Sequence, residues 1–163
     1  MSESKLKKHA STFYFASQFL SSQQLDSAAE LYAICREIDD IADRASQPDE
    51  AHARLLALKS ALHTRDISCD LVKQAISLKP KINIDILIEL VEGVIQDTQT
   101  VRLDTEENLL SYCYRVAGTV GLMMCDIFNV QDTKARHHAI DLGVAMQLTL
   151  SLIHISEPTR LWH

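Results

Sequence analysis

Four glycines and three prolines are all that interrupt 163 residues. Between them run Ala, Leu, Glu, Gln and Lys, residues that lose little on entering a helix, so the expected class is all-α. With 47% hydrophobic and 23% charged residues the chain can bury one core, and one domain is expected. Its net charge of −6 argues against a nucleic-acid partner.

Periodicity and capping signals predict seven helices. The first spans about Lys5 to Leu20. Ser27-Ala28-Ala29-Glu30 has capping-box spacing and opens the second, to about Arg44. Ser46 and Pro48 start a third over 48–63, carrying Leu55, Leu58 and Leu62. A shorter one over 67–78 stops before Pro80. Asn83 caps a helix to about Thr100 with Ile84, Ile88, Val91 and Ile95 on one face. Asp104 or Thr105 opens a long helix through Phe128, and Asp132 opens the last, to about Leu152. Helices joined by short turns pack as an antiparallel bundle whose sites are built from inward-facing side chains.

Several chemistries find no support. Cys35, Cys69, Cys113 and Cys125 contain no C-x-x-C pair and read as small apolar residues, with neither zinc nor disulfides indicated. His137 and His138 are adjacent and point about 100° apart on a helix, so they do not chelate as a pair. There is no phosphate-binding glycine loop and no nucleophile motif. The basic start leads into Ser11-Thr12-Phe13-Tyr14 rather than a long apolar run, and Val116 to Cys125 is too short to span a bilayer. A cytoplasmic protein is expected, at most touching the inner face of a membrane.

The segment Tyr32 to Arg44 is the most chemically pointed. At about 3.6 residues per turn, Asp39 and Asp43 share one helix face and can share a hard cation. Mg²⁺ keeps most of its waters and takes one or two carboxylates plus phosphate oxygens, which such a pair supplies. A solvated acidic face is the plain alternative. Against it stands an apolar stripe of Tyr32, Cys35, Ile38 and Ile41 or Ala42, expected to turn this helix toward a core. On the long helix, Gly118 and Gly121 imply close approach of a neighbouring helix or of a ligand. Tyr112, Val116 and Thr119 are expected to share a face, an aromatic ring over an apolar wall that suits a hydrocarbon and a cation on it.

Taken together, Lys8-His9-Ala10-Ser11-Thr12-Phe13, Tyr32 to Arg44, Tyr112 to Gly121 and Leu142 to Thr149 resemble, in order and over residues of about 5 to 149, the squalene/phytoene synthases. That resemblance implies an isoprenoid-synthase fold and head-to-head condensation of two prenyl diphosphates (C15 or C20). Loss of one diphosphate leaves an allylic cation, the second chain's double bond captures it, and the cyclopropylcarbinyl diphosphate so formed rearranges to a phytoene- or squalene-type product. It further implies Mg²⁺, with Mn²⁺ as a substitute, and NADPH only where the product is reduced. Carried over residue by residue, Asp39 and Asp43 are metal ligands supported by Asp40, and Arg36 holds diphosphate oxygens. Phe13, Tyr32 and Tyr112 line the cavity, with Gln147 beside it and Asp97 as a further carboxylate. Read without the family, each has a plainer role: Arg36 in a surface ion pair, Phe13 and Tyr32 in a core, Asp97 solvated, Gln147 a helix filler.

After Thr149 the pattern departs. Where the family carries a second metal motif, Asn-x-x-Arg-Asp-x-x-x-Asp, its Asn, Arg and two Asp fall here on Leu150, Ile153, His154 and Pro158. Imidazole is a poor Mg²⁺ ligand. Residues 1–150 therefore read as the N-terminal part of such a domain, incomplete at its C-terminus, and 151–163 as a non-native or disordered tail. The expectation is an inactive, self-associating fragment that exposes Val116, Val120, Met123, Val144 and Leu148. A non-catalytic assembly protein on the same fold is the alternative.

Overall fold

The computed structural model describes residues 18–99 and 103–156, the side chains of 151–156 excepted. The helix expected over Lys5 to Leu20 lies outside the described residues but for a turn at 18–20. Helix α1 spans Ser22–Arg44, starting well before Ser27. The reason is a stronger cap: Ser21 Oγ accepts from the Gln24 amide at 3.2 Å, and the Gln24 side chain accepts from the Ser21 amide at 3.0 Å. Ser27 is buried, and its hydroxyl donates to the Lys79 carbonyl at 2.7 Å, tying α1 to the turn before α4.

Helix α2 spans Pro48–Thr64, with Pro48 in its first turn and Arg65 closing it in the left-handed region at φ 55°. Helix α3, Asp70–Ser77, starts later than expected because Asp66 Oδ1 accepts from both the amide and the hydroxyl of Ser68, a local turn that competes with helix. Helix α4, Ile84–Asp97, begins at the expected Asn83 cap. Thr105 caps α5, Glu106–Cys113. A π-helical turn, Tyr114–Gly118, joins α5 to α6, Thr119–Ile127. Helix α7, Thr133–Ser156, is capped by Asp132, whose carboxylate accepts from the Ala135 amide at 2.9 Å. Its backbone stays helical past Leu152, the expected end. No strand occurs among the described residues.

The core lies where α1, α2, α4 and α6 meet. Leu31, Ile34, Ile38, Leu55, Leu62, Leu87, Val91 and Met123 are all buried there. The apolar stripe of α1 is thus centred on Leu31, Ile34 and Ile38, with Cys35, Ile41 and Ala42 packed at its margin. Tyr32, expected in that stripe, is 65% exposed, because a turn of about 100° per residue carries it off the face that Leu31 occupies. Met123, expected to be exposed, is fully buried for the same kind of reason: α6 turns it toward α1 and α4.

Helix α7 lies against the π-turn and α6. Close approach explains the glycines there. A Cβ on Gly143 would stand 2.5 Å from the Ala117 carbonyl oxygen, and one on Gly121 would meet the Ala139 backbone. Asp126 fastens this corner: one carboxylate oxygen takes Arg136 of α7 at 2.9 Å, the other the Asn83 amide at 3.0 Å.

Candidate active site

Asp39 and Asp43 stand one turn apart near the C-terminal end of α1, Asp97 closes α4, and Gln147 projects from α7. All four line one cavity of about 650 Å³, with the α1–α2 turn and Thr98 completing its wall. No Lys or Arg is among the side chains described there. The carboxylates therefore press on one another. Burial holds the Asp39 carboxyl above its ordinary range, and the charge on Asp43 raises it further; Arg36 acts against this, while Asp97 and Asp40 add to it. Asp97 is likewise raised, first by burial; its bond from Tyr112 lowers it and Asp43 raises it.

The Tyr112 hydroxyl donates to Asp97 Oδ1 at 2.5 Å. Burial and that carboxylate hold the phenol well above the ordinary tyrosine range. On α1, one turn before Asp39, Cys35 is pushed up to about 12, mainly by burial and next by Asp39, and is an inert thiol.

Asp40, Arg36, Tyr32 and Tyr112, also expected at the site, are not on this cavity's wall. Asp40 is held between Arg36, at 3.4 Å, and Arg44, at 3.2 Å, off the cavity wall. Tyr32 is exposed on α1, and Phe13 lies outside the described residues. Arg36 engages Asp40 while keeping 58% of its side chain in solvent. Sequence reading missed the wall formed by Gln47, Pro48 and Thr98, residues whose ordinary roles at helix ends hide a lining function. It also missed His52, whose Nδ1 lies 3.4 Å from Thr98 Oγ1.

A second space, an apolar groove of about 570 Å³, runs between α6 and α7. Val116, Val120, Met124, Leu142 and Met146 line it, and Gln147 borders both it and the acidic cavity. Tyr112, Val116 and Thr119 do not share a face as expected. Tyr112 meets Asp97, Val116 turns into the groove, and Thr119 is fully buried, because the π-turn adds a residue and rotates the helix.

The donor set suits a hard divalent cation: every polar side chain on the cavity wall that could ligate one would do so through oxygen. Among the described residues no group of three or more His, Cys, Asp or Glu side chains converges as a closed cage.

A chain helical throughout its described residues, with a paired-aspartate cavity and an apolar groove that share Gln147, defines the class, and the comparisons define the family. Residues 6–160 match the squalene/phytoene synthase family, and the chain belongs to it. It is 34% identical over 154 residues to a phytoene synthase of Thermus thermophilus, covering 93% of this chain and 53% of that protein. A 4,4'-diapophytoene synthase of Staphylococcus haemolyticus is 30% identical over 162 residues, covering 95% and 57%. The fold is similar to that of a dehydrosqualene synthase solved in complex with ligand, with a TM-score of 0.67 at 31% identity over 90% of this chain and 53% of that one. The chain spans about half the length of the curated relatives it matches. No helix among the described residues is long and apolar enough to cross a membrane.

Proposed function

We propose that this chain supplies one wall of a head-to-head prenyltransferase site, in which two prenyl diphosphates, C15 or C20, condense to a phytoene- or squalene-type product. The observation that carries this reading is that Gln147 lines both an acidic cavity walled by Asp39, Asp43 and Asp97 and an apolar groove. A prenyl diphosphate has the same two halves, an anionic head and a long hydrocarbon.

Asp39 and Asp43 hold Mg²⁺ in this reading, with Mn²⁺ as a substitute. When bound, the ion neutralises the diphosphate and favours its departure. Carboxylates alone repel that head, so binding is metal-dependent. Arg36 can leave Asp40 and meet diphosphate oxygens, since an exposed i,i+4 pair is worth only about 0.3–0.5 kcal/mol. Asp40 is a tether for Arg36 and Arg44 rather than a ligand. Tyr112 and Asp97 form the polar rim, and the α6–α7 groove takes the hydrocarbon. NADPH enters only where the product is reduced.

Exposed Leu142, Met146 and Leu150 on α7 make self-association of the isolated chain, or contact with a membrane surface, part of the same proposal. A non-catalytic assembly role is favoured by one observation: Leu150, Ile153, His154 and Pro158 stand where the family's second metal motif falls. Incubating the chain with C15 or C20 diphosphate and Mg²⁺ separates the two roles. Product from the chain alone supports catalysis by it; binding without product supports a wall that needs the opposing motif.

A further inference from the structure

The helical rod from Glu106 to Ile127 changes pitch at one place. At the π-turn the Thr119 amide donates to the Tyr114 carbonyl, five residues back instead of four. In a regular α-helix that amide would go to the Arg115 carbonyl. Here the Thr119 hydroxyl meets that carbonyl instead, at 2.7 Å, and Thr119 is fully buried. The wide turn is clamped from both sides. A Cβ on Gly93 of α4 would press on Arg115 Cβ at 2.8 Å and Val116 Cγ1 at 2.9 Å, and Gly143 of α7 lies against the Ala117 carbonyl.

One extra residue in a turn rotates the helix on its N-terminal side by about 100° relative to the helix on its C-terminal side. Without it, Tyr112 would fall on the face of Thr119 and point into the core, away from Asp97. Wide turns of this kind carry an energetic penalty and persist where the surroundings hold them.

We propose that Thr119 is a positioning residue: its hydroxyl, bonded to the Arg115 carbonyl, holds the wide turn that sets the Tyr112 phenol on Asp97. It touches no reacting atom. Its relevance to catalysis rests on the reading of Asp97 and Tyr112 as the rim of the prenyl diphosphate site, whereas the positioning itself is testable without substrate.

The test uses the whole chain labelled with ¹³Cζ-tyrosine, the Tyr112 resonance being assigned by its loss in Tyr112→Phe. Asp97→Asn removes the charged acceptor directly and gives the displacement of that resonance expected when the phenol leaves a carboxylate. Thr119→Val, which keeps shape and loses the hydroxyl, is expected to reproduce that displacement. Thr119→Ser, which keeps the hydroxyl, is expected to leave the resonance at its wild-type position. A folded Thr119→Val with an unmoved Tyr112 signal overturns the proposal. So does a Thr119→Ser that moves it, an outcome readable even where the valine variant does not fold. In parallel, Mg²⁺-dependent binding of a C20 thiodiphosphate should weaken in Thr119→Val as much as in Tyr112→Phe, with no added loss in the double variant. Tyr112 displacement without any change in that binding would preserve the positioning role and remove the functional reading.

Discussion

The phenol of Tyr112 on α5 and the carboxylate of Asp97 at the end of α4 are joined at 2.5 Å, across 15 residues of chain. The bond ties α5 to the end of α4 beside the acidic cavity, whose wall includes Asp97 but not Tyr112, and it gives the Asp97 carboxylate a partner. Tyr112→Phe should therefore lower stability by about 1 kcal/mol, the scale of a half-exposed bond to a charged acceptor. Denaturant titration of both single variants and of the double variant with Asp97→Asn checks this. Additive losses would show that the bond contributes nothing.

The carboxyl groups predict a pH dependence opposite to the usual one. Asp39 and Asp97 titrate above their ordinary values in the folded chain, so between the unfolded and folded values the folded state retains protons that the unfolded chain has released. Their contribution is present below the unfolded value and is lost as pH rises through the folded value. Without metal, unfolding free energy should rise as pH falls through the raised folded values of these carboxyls toward their ordinary unfolded values. Asp39→Asn should flatten that slope. The facing groups are Asp43, Arg36, Asp97 and Asp40, of which Arg36 opposes the effect. Asp66, whose carboxyl is lowered by Ser68, acts only at lower pH.

Gly143→Ala should be costly although alanine is the better helix former. Its Cβ would stand 2.5 Å from the Ala117 carbonyl, so α7 must move off the π-turn. A loss of about 1–3 kcal/mol is expected, against a gain of up to about 1 kcal/mol from helix propensity. Thermal melts of the two proteins decide which effect wins.

Leu142, 63% exposed, Met146, 58%, and Leu150, 49%, recur at four-residue spacing on α7. Such a stripe predicts concentration-dependent self-association and binding of a hydrophobic dye. Leu142→Glu with Met146→Glu should reduce both while leaving the helical circular dichroism in place. Sedimentation velocity showing a monomer at all concentrations would contradict it.

Much of the fold was legible in the residues. Asn83, Pro48, Thr105 and Asp132 mark helix starts because capping is local chemistry, and Asp39 with Asp43 is readable because spacing alone puts them on one face. Two things were not. The start of α1 lies at the Ser21–Gln24 capping box, and Ser27, whose spacing to Glu30 gives the same local signal, turns its hydroxyl to the distant Lys79 carbonyl, a contact that local spacing does not carry. The π-turn packs against Gly93 and Gly143 on other helices, contacts that periodicity along one segment does not carry, so the segment alone could not separate Tyr112 from Thr119. The direction of Asp40 was hidden by its neighbours: three aspartates within five residues look alike until Arg36 and Arg44 claim one of them.

Asp39 and Asp43 as a metal-diphosphate pair is the central claim, and one titration addresses it directly. Calorimetric binding of C15 and C20 thiodiphosphates, with and without Mg²⁺, should give measurable affinity for the wild-type chain only with the metal. Asp39→Ala/Asp43→Ala should abolish that metal dependence, whereas Asp40→Ala, with its carboxylate outside the cavity, should retain it. Equal affinity of the wild-type and Asp39→Ala/Asp43→Ala chains in the presence of Mg²⁺ would contradict the assignment.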